Sequence, residues 1–403
     1  MWEQIKSNQI KSAMLIIVMA ALLMLVGYFI GLYFFNSGTG GLIIAGIVWA
    51  FMALISYFQG DSIILSMAGA RKIGPDDAPR LWNVVEEMKI ASGLPNMPAV
   101  YIIDDPSPNA FATGRKPETA SIAVTTGLLQ RLNRDELQGV VAHELGHVKN
   151  RDILFMIIAS VMLGSIVMLA WYASRFMLFG GMSGGRRSSK DGGGGAQVII
   201  LVVGLVLMIL APIAAQLIYF SVSRKREYLA DASSALYTRY PEGLASALEK
   251  ISAAPQALKS ANKATAPMYI INPLHKEGRA ATDLTSTHPP ISERIRILRA
   301  MAGGASYANY EAAYEQVKKH SLLSKTAVGS VGAVGIRAAA AAKPGETDPI
   351  ADKAARSREA SDLMLKMNNY RTVECTCGTR WKLPQGFDAD SIQCTRCGRT
   401  LKV

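Results

Sequence analysis

Four apolar stretches decide what this chain can become. They run over residues 12–35, 41–59, about 153–173 and about 196–222, and none has a charged residue inside it. Wound as a helix at about 1.5 Å per residue, each reaches across a hydrocarbon core about 30 Å thick. The first follows Lys6 and Lys11 as a cleaved leader would, but it far exceeds the roughly 7–15 apolar residues of such leaders and reads as a retained anchor. Half of the 403 residues are hydrophobic and 18% charged, more apolar than an ordinary soluble protein of this size. The expected class is a mainly α integral membrane protein with about four transmembrane helices, paired as hairpins over 1–60 and 153–222.

The formal charge of +12 raises a nucleic-acid role, and the placement of Lys and Arg answers it. Two precede the first block, none lies in the NSGTG turn, ten fall between residues 60 and 152, four between 174 and 195, and twenty-seven after 222. That distribution suits a multi-pass protein of the cell's inner membrane whose middle segment and long C-terminal part face the cytoplasm. The expected partner of the basic balance is therefore the lipid bilayer, not nucleic acid. One Gly-rich loop disagrees, because Arg175, Arg186, Arg187 and Lys190 would face outward if blocks three and four both span. The sequence leaves open whether those charges are translocated or the pair inserts incompletely.

Between the hairpins, residues 61–152 read as soluble. GPDDAPRLWNVVEEMKIASGLP has apolar residues at helical spacing and a Gly-Leu-Pro stop. PAVYIID, PNAFATG and ASIAVTTG then read as a small antiparallel sheet. LLQRLNRDELQGVVAHELGHVKNRD returns to helical period, with Asn133 or Asp135 placed as its cap. After block four, SRKREYLADASSALYTRY continues as helix, and PEGLASALEKISAA and ISERIRILRAM follow as two more within a second soluble part, 223–325. Residues 326–370, rich in Ala and Gly, read as a low-complexity linker and tail, and 371–403 as a separate module.

HELGH carries the chemistry. His143 and His147 stand four apart, so on a helix their imidazoles differ by about 40° and can reach one ion. A catalytic zinc takes three protein ligands and keeps a fourth position for water, and Glu144 is placed to take that water's proton. Glu227, just beyond block four, is the best third ligand, since the hairpin between His147 and Glu227 would return the chain to the same face of the bilayer. Asp231, one turn further on, can hold the second nitrogen of a ligand histidine. His275 and His320 have no partner pattern and read as structural or surface residues.

VVAHELGHVKNRD, SRKREYLADASSA, PNAFATG and TSTHPPISERI, in this order and between apolar blocks, resemble the HtpX-type membrane zinc proteases, relatives of the CAAX prenyl proteases. The resemblance covers roughly residues 1–325. It implies a gluzincin-type α+β catalytic domain, endopeptidase activity on protein or peptide substrates, and quality control of misfolded or damaged membrane proteins. It makes His143, His147 and Glu227 zinc ligands and Glu144 the general base. It further implies that Asn109, Ala110 and Phe111 lie on a strand that holds substrate backbone, and that His288 steadies the oxyanion.

The tail departs from that family. Its four cysteines, Cys375, Cys377, Cys394 and Cys397, are the only ones in the chain, so the bulk has no disulfide framework and suits a reducing compartment. Two pairs, each followed by Gly and sixteen residues apart, suggest a zinc ribbon with a second, structural Zn2+ on a flexible tether, able to capture substrate or a partner. Two rival readings follow. In an intramembrane protease the His-Glu motif would sit inside a spanning helix, which the charges of NRDELQGV and KNRD oppose. In a membrane-tethered zinc adaptor without proteolysis, the inner metal would be only structural.

Overall fold

In a computed structural model, the described residues are 2–153, 194–254, 266–271, 288–301, 304–322, 335–337 and 349–402, with Leu258 and scattered positions between 156 and 175. Helices α1 (Trp2–Phe35) and α2 (Gly38–Met67) form a hairpin carrying the first two apolar blocks. Ser37 caps α2 by accepting from the Gly40 N–H at 3.1 Å. The two backbones touch: a Cβ on Gly41 would lie 2.2 Å from the Gly27 carbonyl oxygen. On α2, Ile43, Ile47, Phe51, Leu54 and Phe58 are exposed at helical spacing, an uninterrupted apolar stripe suited to lipid. This helix is long and apolar enough to cross a membrane.

The fourth block lies within a single helix, α6 (Gly194–Thr238), which runs on past the block to carry Glu227 and Asp231. Most of block three and of the Gly-rich loop at 174–195 lies outside the described residues. Two of its described side chains join the bundle: Met156 and Ile166 cluster with Met19, Leu23 and Val26 of α1 and with Ala211 and Ala215 of α6.

The soluble core is built on a four-stranded sheet of order β1 (Arg71–Lys72), β2 (Ala99–Ile103), β4 (Ser121–Thr125), β3 (Ala110–Thr113). The expected antiparallel sheet is corrected: β2 and β4 pair in parallel, while β1 and β3 join antiparallel at the two edges. A parallel pair needs a crossover, and here β3 itself serves as one, pairing on the far side of β4. Helix α3 (Pro79–Ser92) ends where expected, at Gly93 in the left-handed region with φ 66. The next helical stretch is two helices, α4 (Thr126–Arg131) and α5 (Arg134–Lys149), because Leu132 is extended and Asn133 starts a new cap. Helices α7 (Pro241–Ser252), α8 (Ile291–Arg299) and α9 (Tyr307–Lys318) close the domain around the same core.

The segment expected as linker and tail contains α10 (Pro349–Met367), which is docked and not free. Its Ala360 and Leu363 are buried, Glu359 meets Arg80 at 3.1 Å, and Lys366 pairs with Asp77. Arg80 also donates to the Leu132 carbonyl at 3.0 Å, so one guanidinium joins the end of α4 to α10. Two antiparallel hairpins follow, β5 (Arg371–Glu374) with β6 (Arg380–Leu383) and β7 (Ser391–Gln393) with β8 (Thr400–Lys402). Lys382 of β6 reaches Asp362 of α10 at 2.6 Å. The tether therefore gives way to a strapped connection.

Candidate active site

Helix α5 is the beam of the site. Asn133 and Glu136 cap its start reciprocally, each side chain bonded to the other's backbone N–H at 2.9 Å. Almost every residue from Leu137 to Val148 is buried, so neighbours must approach closely. Gly146 allows it: a Cβ there would stand 3.0 Å from Ser233 Cβ and 3.2 Å from Ala230 Cα. The glycine in HELGH thus seats α6 against α5 and brings Glu227 over the two histidines.

His143 and His147 face each other edge to face with ring centroids 4.9 Å apart. Glu227 lies between them, one oxygen 3.6 Å from His143 Nε2 and the other 3.4 Å from His147 Nε2. One ligand atom from each of the three lies within 4.8 Å of the others, and all three residues are buried. The edge of a tetrahedron with metal–ligand bonds of about 2.05 Å is about 3.3 Å, so these separations fit a zinc ion. Glu144 Oε1 and Glu227 Oε2 are buried without a hydrogen-bond partner, although Arg294 Nη1 comes within 3.3 Å of the latter. Charge agrees: the carboxylates of Glu144, Glu227, Asp231 and Asp152 outnumber the guanidiniums of Arg226 and Arg294 by two. A divalent cation balances them.

The electrostatics of the cluster are strongly coupled. Burial opposes a charge on His147, yet its bonds to Asp152 and Glu227 push it up to about 10. Burial likewise opposes the Glu227 carboxylate, but His288, His143 and His147 around it hold it well below the usual range. Glu144 moves the other way: burial pushes its carboxyl up, and the neighbouring imidazoles only partly offset this. A raised carboxyl is a better proton acceptor when ionised.

The remaining expected residues converge on this centre. Asp231 Oδ1 is 2.9 Å from His143 Nδ1, which turns Nε2 toward Glu227. His288 is buried with Nε2 3.9 Å from Glu227 Oε1, and burial pushes its imidazole down. Asn109 precedes the edge strand β3, and its side-chain amide donates to the Ile271 carbonyl at 3.0 Å. The Thr125 N–H donates to the Asn109 carbonyl at 3.0 Å, so the backbone groups of Asn109 and Phe111 face β4 while those of Ala110 and Ala112 face outward. The Ala110 carbonyl already accepts from the Ile270 N–H at 3.0 Å. The Ala112 N–H borders Glu144, and the Ala112 carbonyl faces away from β4. His320 bonds Tyr314 at 3.2 Å, away from the site, and His275 lies outside the described residues.

Three residues of the centre escaped the sequence reading. Arg294 grips Asp231 with two bonds of 2.9 and 2.7 Å and donates to the Ile270 carbonyl at 3.1 Å. Its signal was an arginine on the same helical face as Ile291 and Leu298. Asp152 Oδ2 is 3.4 Å from His147 Nδ1, and Arg226 stands 3.6 Å behind it. The active-site helix does not continue straight into block three, because it ends at Lys149 and Arg151 takes a positive φ of 56. That turn points Asp152 back at the ligand.

Two buried imidazoles and a carboxylate from a helix that emerges from an apolar block, close enough together to hold one metal ion, and a further buried carboxylate beside them fit a metallopeptidase. The chain belongs to peptidase family M48, which its residues 75–302 match. It is 47% identical over 300 residues to a protease HtpX homolog of Dictyoglomus turgidum, covering 74% of this chain and 94% of that one. A protease HtpX homolog of Streptococcus pneumoniae is 45% identical over 301 residues, covering 75% of this chain and all of its own length. Among solved structures, that of S. mikatae Ste24p aligns with a TM-score of 0.41 at 17% identity, covering 74% of this chain and 67% of that one. The chain is a membrane zinc metalloprotease, as the resemblance implied, and its substrates are peptides or proteins.

Proposed function

We propose that the chain is a multi-pass endopeptidase of the inner membrane that cleaves misfolded or damaged membrane proteins at the cytoplasmic lipid surface. The observation that carries this is the burial of His143, His147 and Glu227 with ligand atoms within 4.8 Å, Glu227 being on a helix that continues from an apolar block. Held by these three, zinc would supply Lewis acidity toward a water and the scissile carbonyl. Glu144 takes the proton of the attacking water and delivers it to the leaving amine. His288, whose Nε2 lies 3.9 Å from Glu227 Oε1, donates to the oxygen on which negative charge develops. The outward backbone groups of Ala112 pair with an extended substrate, a contact that does not depend on its side chains. The concentration of Lys and Arg in the soluble parts that flank the apolar blocks supports the cytoplasmic orientation.

The tail reads as a zinc ribbon. Cys375 and Cys397 have sulfurs 3.4 Å apart and Cys377 and Cys394 3.6 Å apart, too far for a disulfide and near the edge of about 3.8 Å of a tetrahedral thiolate site. An adaptor role is disfavoured, because a closed structural site takes four ligands and this centre has three among the described residues, beside a buried Glu144 whose Oε1 has no partner. The test is cleavage of an unfolded membrane protein by purified chain in lipid, with and without chelator. Cleavage is expected to need metal and to fall about 10²–10⁴-fold in Glu144→Gln with zinc retained. An unchanged rate in that variant rejects the mechanism.

A further inference from the structure

Each ligand imidazole has its own carboxylate, and each carboxylate its own buried arginine. For His143 the chain of contacts is Asp231 and then Arg294. For His147 it is Asp152 and then Arg226, a pair made by different elements at a different place. Asp152 Oδ2 lies 3.4 Å from His147 Nδ1, its Oδ1 lies 3.6 Å from Arg226 Nε, and Arg226 Nη1 donates to the Asp152 carbonyl at 3.3 Å. Asp152 is 1% exposed and Arg226 2%. Charges buried to that degree lose their hydration, and each here has the other as its counter-charge.

Their position says what the pair does. Asp152 directly precedes the third apolar block, held there by the turn at Arg151, and Arg226 directly precedes Glu227 just beyond the fourth. The pair therefore closes the hairpin at the two points where it joins the catalytic domain, and one member of it touches a ligand ring. We propose that Asp152 and Arg226 are positioning residues that act as one unit, fixing the His147 ring for metal and locking together the two membrane-proximal ends of the site. The proposal rests on the metal reading above.

Titrating cobalt into the apo full-length chain in detergent, against a competing chelator, tests it. The ligand-field bands of the inner site report binding there, and the thiolate charge-transfer bands of the cysteine site serve as an internal control in the same sample. Asp152→Asn, which keeps the side chain's shape, is expected to weaken inner-site affinity about 10–100-fold and leave the cysteine site unchanged. Arg226→Met, which touches no ligand nitrogen, is expected to do the same, and Arg226→Lys to recover part of the loss. The double variant is expected to be no weaker than either single one. Excess zinc is expected to restore the cleavage rate of Asp152→Asn, a rescue that a merely structural defect would not show. Parent-like affinity in Asp152→Asn, or simply additive losses in the double variant, overturns the proposal alone. Failure of the parent's inner site to bind cobalt overturns the metal reading and this proposal with it.

Discussion

Replacing Arg294 by Met removes the cation on which the buried half of the site leans. The guanidinium is fully buried, makes two bonds to Asp231 and one to the Ile270 carbonyl, and stands 3.3 Å from Glu227. Methionine keeps the length and apolar stem but leaves the Asp231 carboxylate, also fully buried, without its counter-charge. Stripping one member of a buried ion pair costs about 3–5 kcal/mol, and the abandoned Ile270 carbonyl adds about 1 kcal/mol or more to it. A loss of about 4–6 kcal/mol is the expected result for zinc-free chain, read as a shift of the denaturant midpoint in detergent. Zinc supplies positive charge to the same carboxylates, so the deficit should shrink when metal is present. Asp231→Asn in the Arg294→Met background removes the stranded charge, and a coupling of about 1–3 kcal/mol is expected between the two changes. A strictly additive double variant, or a parent-like midpoint for Arg294→Met, would refute the reasoning.

Three further outcomes follow from the packing. Gly146→Val drives a side chain into Ser233 and Ala230, costs about 1–3 kcal/mol and lifts α6, so chelator competition should show weaker zinc binding; parent-like affinity would contradict the close-approach argument. Cys394→Ser should lower bound zinc from two ions per chain to one while leaving the inner site filled, and elemental analysis checks it. Leu363→Asp should detach α10, whose Leu363 is almost fully buried, and limited proteolysis should then cut within 349–367; resistance equal to the parent's would mean the strap does not depend on this contact.

Much of the fold and site was legible locally. The apolar blocks announce helices because no other open structure satisfies its backbone in lipid, and the start of the active-site helix is legible as Asn133 or Asp135 because cap chemistry is local, the structure choosing Asn133. His143, Glu144 and His147 are readable together since one helical turn brings them to one face, and the four cysteines are readable for the same reason of spacing. What the chain could not show by itself was every relation between distant segments. The parallel pairing of β2 with β4 depends on β3 crossing outside them, which no strand propensity encodes. The pairing of α10 with Arg80 and Asp77 joins residues 279 and 289 positions apart. Arg294 is visibly out of place on an apolar face, but its partner Asp231 lies 63 residues away, and Asp152 reaches Arg226 across a hairpin of 74. Composition and spacing thus determined that this is a membrane chain with a two-histidine metal motif. Only the folded packing, where burial makes an unpaired charge costly, decided which acids and arginines complete the site.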